Sequence, residues 1–263
     1  MEDLVSAART NNLNKLRRFL DLERAQNPQL GDDGVNYSTM AMQAACHAAA
    51  RYNHPEALDL LLDSGCWIDP STVIAALDRN SKDIFNSLIA RGWDVSSNLG
   101  HVGDALVLSV GADDLDMVQF LLLRGADPNA NTSGGISSAL ELAASVSSIP
   151  VLDALLNAGA LLKGRSALPK AAGRGRTDVV AYLLDQGAAI NEIPDNPDIL
   201  ENAWELGVKN ALCAAAWRGQ SEVVKLLLER GADNSVKDTN GRSALELAET
   251  EGHESCKNSA YIN

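Results

Sequence analysis

NALCAAAWRGQSEVVKLLLERGAD, residues 210–233, holds two amphipathic helix patterns back to back. The first, Ala211 to Trp217, is short and rich in alanine, so a neighbouring helix can approach its backbone closely. Arg218 and Gly219 break it, and a second helix opens at Ser221. In that helix Val223, Val224, Leu226, Leu227 and Leu228 fall at mixed spacings of three and four, which makes one broad apolar face. It ends at Gly231, after Glu229 and Arg230, where glycine tolerates the left-handed backbone that closes a helix. One such hairpin cannot bury its own apolar face and requires a copy of itself on either side.

The copies are present. Aligned on the glycine after each leucine-rich helix, the chain reads LLLDSG to Gly65, LIARG to Gly92, LLLRG to Gly125, LLNAG to Gly159, LLDQG to Gly187 and LLLERG to Gly231, at intervals of 27, 33, 34, 28 and 44 residues. SSALELAAS (137–145), RSALPKAAGRGRTDVVAYLLDQGA (165–188) and GRSALELAETEGHE (241–254) resemble the ankyrin pattern G-x-T-P-L-H-x-A-A-x-x-G-H-x-x-V-V-x-L-L-L-x-x-G-A, and the intervals scatter about its period of roughly 33. The resemblance covers nearly the whole chain. It implies an all-α ankyrin-repeat solenoid of about eight helix-turn-helix units, the two terminal ones being degenerate caps.

Composition fits a stack of small helices. Hydrophobic residues make up 46% of the 263 but aromatics only 4%, so leucine, alanine and valine must form the core. The formal charge of −13 opposes general attraction to nucleic acid or to an anionic membrane. Cys46, Cys66, Cys213 and Cys256 form no C-x-x-C pair and read as reduced thiols of a cytoplasmic or nuclear protein. The start MEDLVSAARTNN carries no basic-then-apolar signal, and no apolar run reaches about 18 residues, so neither secretion nor membrane spanning is expected.

In chain order, residues 1–23 read as an N-terminal cap with Lys15, Arg17 and Arg18 facing solvent. Residues 24–40, with Pro28, Gly31, Gly34 and Asp32-Asp33, read as an inserted loop. Repeats fill 41–187, with units at 41–65, 71–92, 104–125, 138–159 and 166–187, and Pro150 opens the second helix of the fifth unit. Residues 188–209 exceed a normal connection by roughly 11 residues and read as one extended finger holding Pro194, Pro197 and Trp204. Repeats resume over 210–252 and the C-terminus, 253–263, is expected to fray. All of 1–263 is read as one ankyrin-repeat domain. Trp67 and Trp93, just after the glycines of repeats two and three, are expected to pack over the connecting loops.

Motifs for catalysis are missing. His47, His54, His101 and His253 never stand at i, i+4 nor beside a cysteine pair, so no metal is expected. No phosphate-binding loop, dinucleotide fingerprint or nucleophile elbow is present, so no cofactor is expected. Asp69, Asp94, Asp127 and Asp233 recur near repeat ends as turn residues. His47 falls on the motif histidine, which the resemblance assigns to local hydrogen bonding between repeats; Ile74 replaces it in the third unit.

The resemblance also implies that the two residues before each inter-helix turn glycine face a concave groove. Here they are Arg9-Thr10, Arg51-Tyr52, Asp78-Arg79, Gly111-Ala112, Ser145-Val146, Gly173-Arg174, Trp217-Arg218 and Thr250-Glu251. Cations and aromatics in an acidic protein thus converge on a binding groove of Arg51, Tyr52, Asp78, Arg79, Arg174, Trp217 and Arg218, around a floor of Gly111, Ala112, Ser145 and Gly173. Lys163, Arg165, Lys170, Arg174 and Arg176 form a further basic run. The leading expectation is a protein-protein interaction adaptor or scaffold whose partner offers an acidic, partly apolar segment, without catalysis of its own. The alternative is a binder of an anionic small molecule, or an isomerase- or cyclase-type enzyme in the groove, with Tyr52, His47, His101, Asp104 and Arg174 as candidates for proton transfer and charge stabilisation.

Overall fold

Short alanine-rich helices alternate with leucine-rich ones along the whole described chain. A computed structural model describes residues 2–26, 40–100, 102–130, 138–193, 210–238 and 240–256. The helices are α1 (Glu2–Arg9), α2 (Leu13–Gln26), α3 (Met40–Arg51), α4 (Pro55–Asp63), α5 (Pro70–Leu77), α6 (Lys82–Ala90), α7 (Ala105–Gly111), α8 (Leu115–Leu123), α9 (Ala139–Val146), α10 (Ile149–Asn157), α11 (Ala167–Gly173), α12 (Thr177–Asp185), α13 (Ala211–Trp217), α14 (Ser221–Glu229) and α15 (Ala244–Thr250). Residues 254–256 are also helical, and all regular structure among the described residues is helical.

Local chemistry explains where these helices start. Asp69, Asp104, Asn210, Ser138 and Ser243 each precede an alanine-rich helix and accept the backbone N–H three residues on. The last two build full capping boxes with Glu141 and Glu246. Pro55, Pro70 and Pro150 sit in first turns, where a missing amide costs little. The glycines that set the alignment, Gly65, Gly92, Gly125, Gly159, Gly187 and Gly231, end their helices at φ of 85° to 95°.

Two units share the chain. One contains residues 1–109 and 123–126, the other residues 110–122 and 127–263, so the division falls inside the fourth repeat. In the first unit α3 packs between α1 and α5, while α4 packs between α2 and α6. Its buried layer is Leu16, Ala45, Ala49, Leu58, Leu61, Val73, Ala76, Ile84, Phe85 and Leu88. In the second unit α9, α11, α13 and α15 pack in series and α12 packs on α14. Ala211 to Ala216 of α13 are all buried, so a helix sandwiched on two sides needs small side chains along its length. The leucine-rich helices supply the bulk through Leu152, Leu155, Leu183 and Leu227. Each fully buried aliphatic side chain is worth about 1.5–3 kcal/mol.

Polar ties join successive leucine-rich helices. In the first unit Arg91 bridges Asp59 at 2.7 Å and Asp63 at 2.8 Å. Those carboxylates, Asp63 foremost, hold its guanidinium further above its ordinary pKa. In the second, Tyr182 donates to Asp153 and Arg230 pairs with Asp185, each at 2.8 Å. Pairs this exposed contribute about 0–1 kcal/mol each.

Helix α2 runs on to Gln26, three residues into the stretch read as an inserted loop. Residues 27–39 of that loop, 194–209 of the expected finger and 257–263 of the expected frayed end lie outside the described residues. Trp93 packs on Phe85, ring centres 5.9 Å apart. Trp67 is half-exposed instead of packed over its loop, and its carbonyl accepts from Gln43.

Candidate functional site

Each inter-helix turn must reverse the chain within three or four residues, which requires left-handed backbone. Asn11, Asn53, Asn80 and Asp113 adopt it at φ of 51° to 55°, and Gly175, Gly219 and Gly252 at 72° to 77°. Each of these seven residues directly follows one of the residue pairs expected to face the groove. The fifth repeat differs: Ser147 there is extended at φ −96°, and its hydroxyl donates to the Val110 carbonyl.

Successive turns are fastened to one another. In the first unit a His54 ring nitrogen lies 3.0 Å from the Arg9 carbonyl oxygen, Asn11 donates to Glu56, and Asn53 donates to Asp83. In the second, Ser148 donates through both backbone and hydroxyl to Asp113, and Arg176 donates to the Ala143 carbonyl. A His253 ring nitrogen lies 3.1 Å from the Trp217 carbonyl oxygen. Gly219 has no side chain because His253 occupies the space: a Cβ there would sit 2.7 Å from Nδ1. Gln220 fills the corresponding space over Gly175. Within each unit successive turns are therefore tied together in order.

The first unit carries Arg51 and Tyr52 at the end of α3 and Asp78 and Arg79 after α5, all exposed, on helices that pack together. The second carries Arg174, exposed at the C-cap of α11, and Trp217 and Arg218 at the end of α13, which packs on α11. The Arg218 guanidinium stacks over the Trp217 ring at 4.3 Å. This holds the indole half-buried under a cation and pre-orders two groups that a partner would otherwise have to immobilise. Gly173 is buried and Gly111 and Ala112 are exposed, while Ser145 turns its hydroxyl to the Glu141 carbonyl.

The residues named for chemistry lie in different settings. Asp104 is buried and its carboxylate accepts the Val107 N–H at 2.8 Å as the cap of α7. His47 is half-buried on α3, Tyr52 is exposed, Arg174 belongs to the other unit, and His101 lies outside the described residues. Among the described residues, His54 and His253 reach from one repeat to another. The basic run is not one surface: Lys170 is buried, whereas Lys163 and Arg174 are exposed. No helix among the described residues is long and apolar enough to cross a membrane.

Comparison with known proteins matches the geometry. The family described as "Ankyrin repeats (3 copies)" matches over residues 46–132 and 106–195, and "Ankyrin repeats (many copies)" over 196–248. The chain is an ankyrin-repeat protein. It is similar to the B-cell lymphoma 3 protein homolog of Mus musculus, 30% identical over 129 residues, which is 45% of this chain and 29% of that relative. The ankyrin-repeat chain thus spans less than a third of that relative's length. Repeats of this family serve in general as protein-protein interaction modules.

Proposed function

We propose that this ankyrin-repeat chain works as a single recognition domain over residues 1–263, in the cytoplasm or nucleus, and binds an acidic, partly apolar segment of another protein through its inter-helix turns. The observation that carries the reading is the Arg218–Trp217 stack on the helix beside Arg174. An indole gripped by its own guanidinium offers a flat apolar surface with a cation at its edge, which suits a segment alternating carboxylates with apolar side chains. Arg51, Tyr52 and Arg79 repeat the combination on the first unit. Against a net charge of −13, such local cations favour acidic ligands that the rest of the surface repels.

The arithmetic allows useful affinity. A charge-assisted hydrogen bond contributes about 1.5–3 kcal/mol and an aromatic anchor about 2. Two or three such contacts reach the roughly −8 kcal/mol of micromolar binding. The test immobilises the full chain and an Arg174→Glu, Arg218→Glu variant, exposes both to native extract, and analyses proteins and metabolites retained. Proteins with acidic segments retained by wild type and lost from the variant are expected. Equal retention on both, or retention of a small molecule alone, overturns the proposal.

A further inference from the structure

We propose that Cys46 and Cys66 form a redox-sensitive latch that a hydroperoxide closes into an intrachain disulfide, fastening α3 to the segment that leaves α4. The two residues are 20 apart in sequence, with none of the spacing that marks a redox motif, yet their Sγ atoms lie 2.7 Å apart. A disulfide bond is about 2.05 Å long, so the remaining gap is about 0.65 Å.

The backbone holds the pair in place. Cys46 lies midway along α3 and is wholly buried, in the layer that packs against both α1 and α5. Cys66 is positioned by the end of α4: Gly65 turns the chain at φ 95°, and the Cys66 N–H returns to the Leu61 carbonyl at 3.1 Å. The second sulfur is thereby aimed at the flank of α3.

The chemistry gives the two thiols different roles. The Cys46 thiol and the Cys66 sulfur are hydrogen-bonded to each other. That hydrogen bond, with burial, pushes the Cys46 thiol far above its usual pKa and keeps it protonated. Cys66 is also the less buried of the two and adjoins half-exposed Trp67, so a small oxidant reaches it first. The Cys66 sulfur attacks one oxygen of a hydroperoxide, breaking the O–O bond. The leaving alkoxide or hydroxide takes the proton that Cys66 gives up, and a sulfenic acid remains on Cys66. The Cys46 sulfur then attacks Cys66 Sγ, the S–O bond breaks, and the departing hydroxide takes the Cys46 proton as water. Two thiols lose two electrons in total and the peroxide gains them. Elsewhere in the chain, the Cys213 sulfur faces the Val236 carbonyl at 4.0 Å, and burial, its largest cause, pushes this thiol up to about 12, which makes Cys213 an internal control.

The latch fixes the helix that ends in Arg51 and Tyr52. The experiment treats the full chain with hydrogen peroxide, quenches it, and alkylates the remaining thiols in denaturant before intact-mass and peptide analysis. The expected product is about 2 Da lighter before alkylation, takes up two alkyl groups instead of four, and yields one Cys46–Cys66 cross-linked peptide that dithiothreitol releases. Closing a 20-residue loop should also raise the Tm by about 5 °C or more, reversibly with reductant. Cys46→Ser and Cys66→Ser each abolish the product, and Cys213→Ser preserves it. Four alkylatable thiols after treatment, a cross-link involving Cys213 or Cys256, or sulfinic acid at Cys66 without a cross-link overturns the proposal. The wild-type mass and peptide map decide the matter even where a serine variant fails to fold.

Discussion

Replacing Gly219 by alanine tests how the turns are built. Gly219 sits at φ 72°, and a Cβ at this position would lie 2.7 Å from His253 Nδ1. Left-handed backbone costs an alanine about 1–2 kcal/mol. The His253 ring must also move, and losing its contact with the Trp217 carbonyl costs about 0.5–1.5 kcal/mol more. Gly219→Ala should therefore destabilise by about 2–3 kcal/mol. Gly231 is the internal control: at φ 88° it carries the same backbone strain, but a Cβ there meets nothing within 4 Å, so Gly231→Ala should cost only about 1–2 kcal/mol. Urea unfolding followed by circular dichroism measures both. A cycle with His253→Ala isolates the contact, because Gly219→Ala in that background should fall to the cost at Gly231. Equal costs at the two glycines, or a coupling to His253 below about 0.3 kcal/mol, would refute the reasoning.

Leu227 is wholly buried in α14, so Leu227→Ala should cost about 2–5 kcal/mol in urea unfolding, while Arg218→Ala, which loses only an exposed stack on Trp217, should cost no more than about 1 kcal/mol. Because α11 packs directly on α13, deleting residues 196–206 should leave the helical circular dichroism signal of the remaining chain intact, and its collapse would show that the insertion holds the repeats together. Burial, then the hydrogen bond to Asp153, pushes the Tyr182 phenol from 10.0 up to about 12. An acid whose folded pKa is raised contributes stability that is full below pH 10 and lost as the pH rises towards 12. Tyr182→Phe should therefore remove part of the fall in urea midpoint between pH 10 and 12.

The repeat period was legible because a leucine-rich helix ended by glycine recurs on six of the eight units. Those glycines adopt the positive φ that the alignment requires. The turn pairs were legible too, since the residue after seven of the eight pairs is left-handed even where asparagine or aspartate replaces glycine. What escaped the sequence depends on contacts between repeats. Nothing in the spacing of Cys46 and Cys66 shows that a helix end folds one sulfur onto the other. Asp104, named for proton transfer, caps α7, and an aspartate directly before an apolar helical run is a cap signal that the sequence already carries. The basic run from Lys163 to Arg176 looked continuous because helical periodicity, which buries Lys170 and exposes Arg174, is invisible in a charge count.

Titration calorimetry addresses recognition by the turns most directly. The acidic segment recovered from extract is titrated into wild type and into an Arg79→Glu, Arg174→Glu variant, each at two salt concentrations. The account predicts micromolar binding that weakens as salt rises, at least a tenfold loss in the variant, and a nearly unchanged Tm, because both arginines are exposed. Affinity that ignores salt and survives the double charge reversal would contradict it and move the binding surface away from the inter-helix turns.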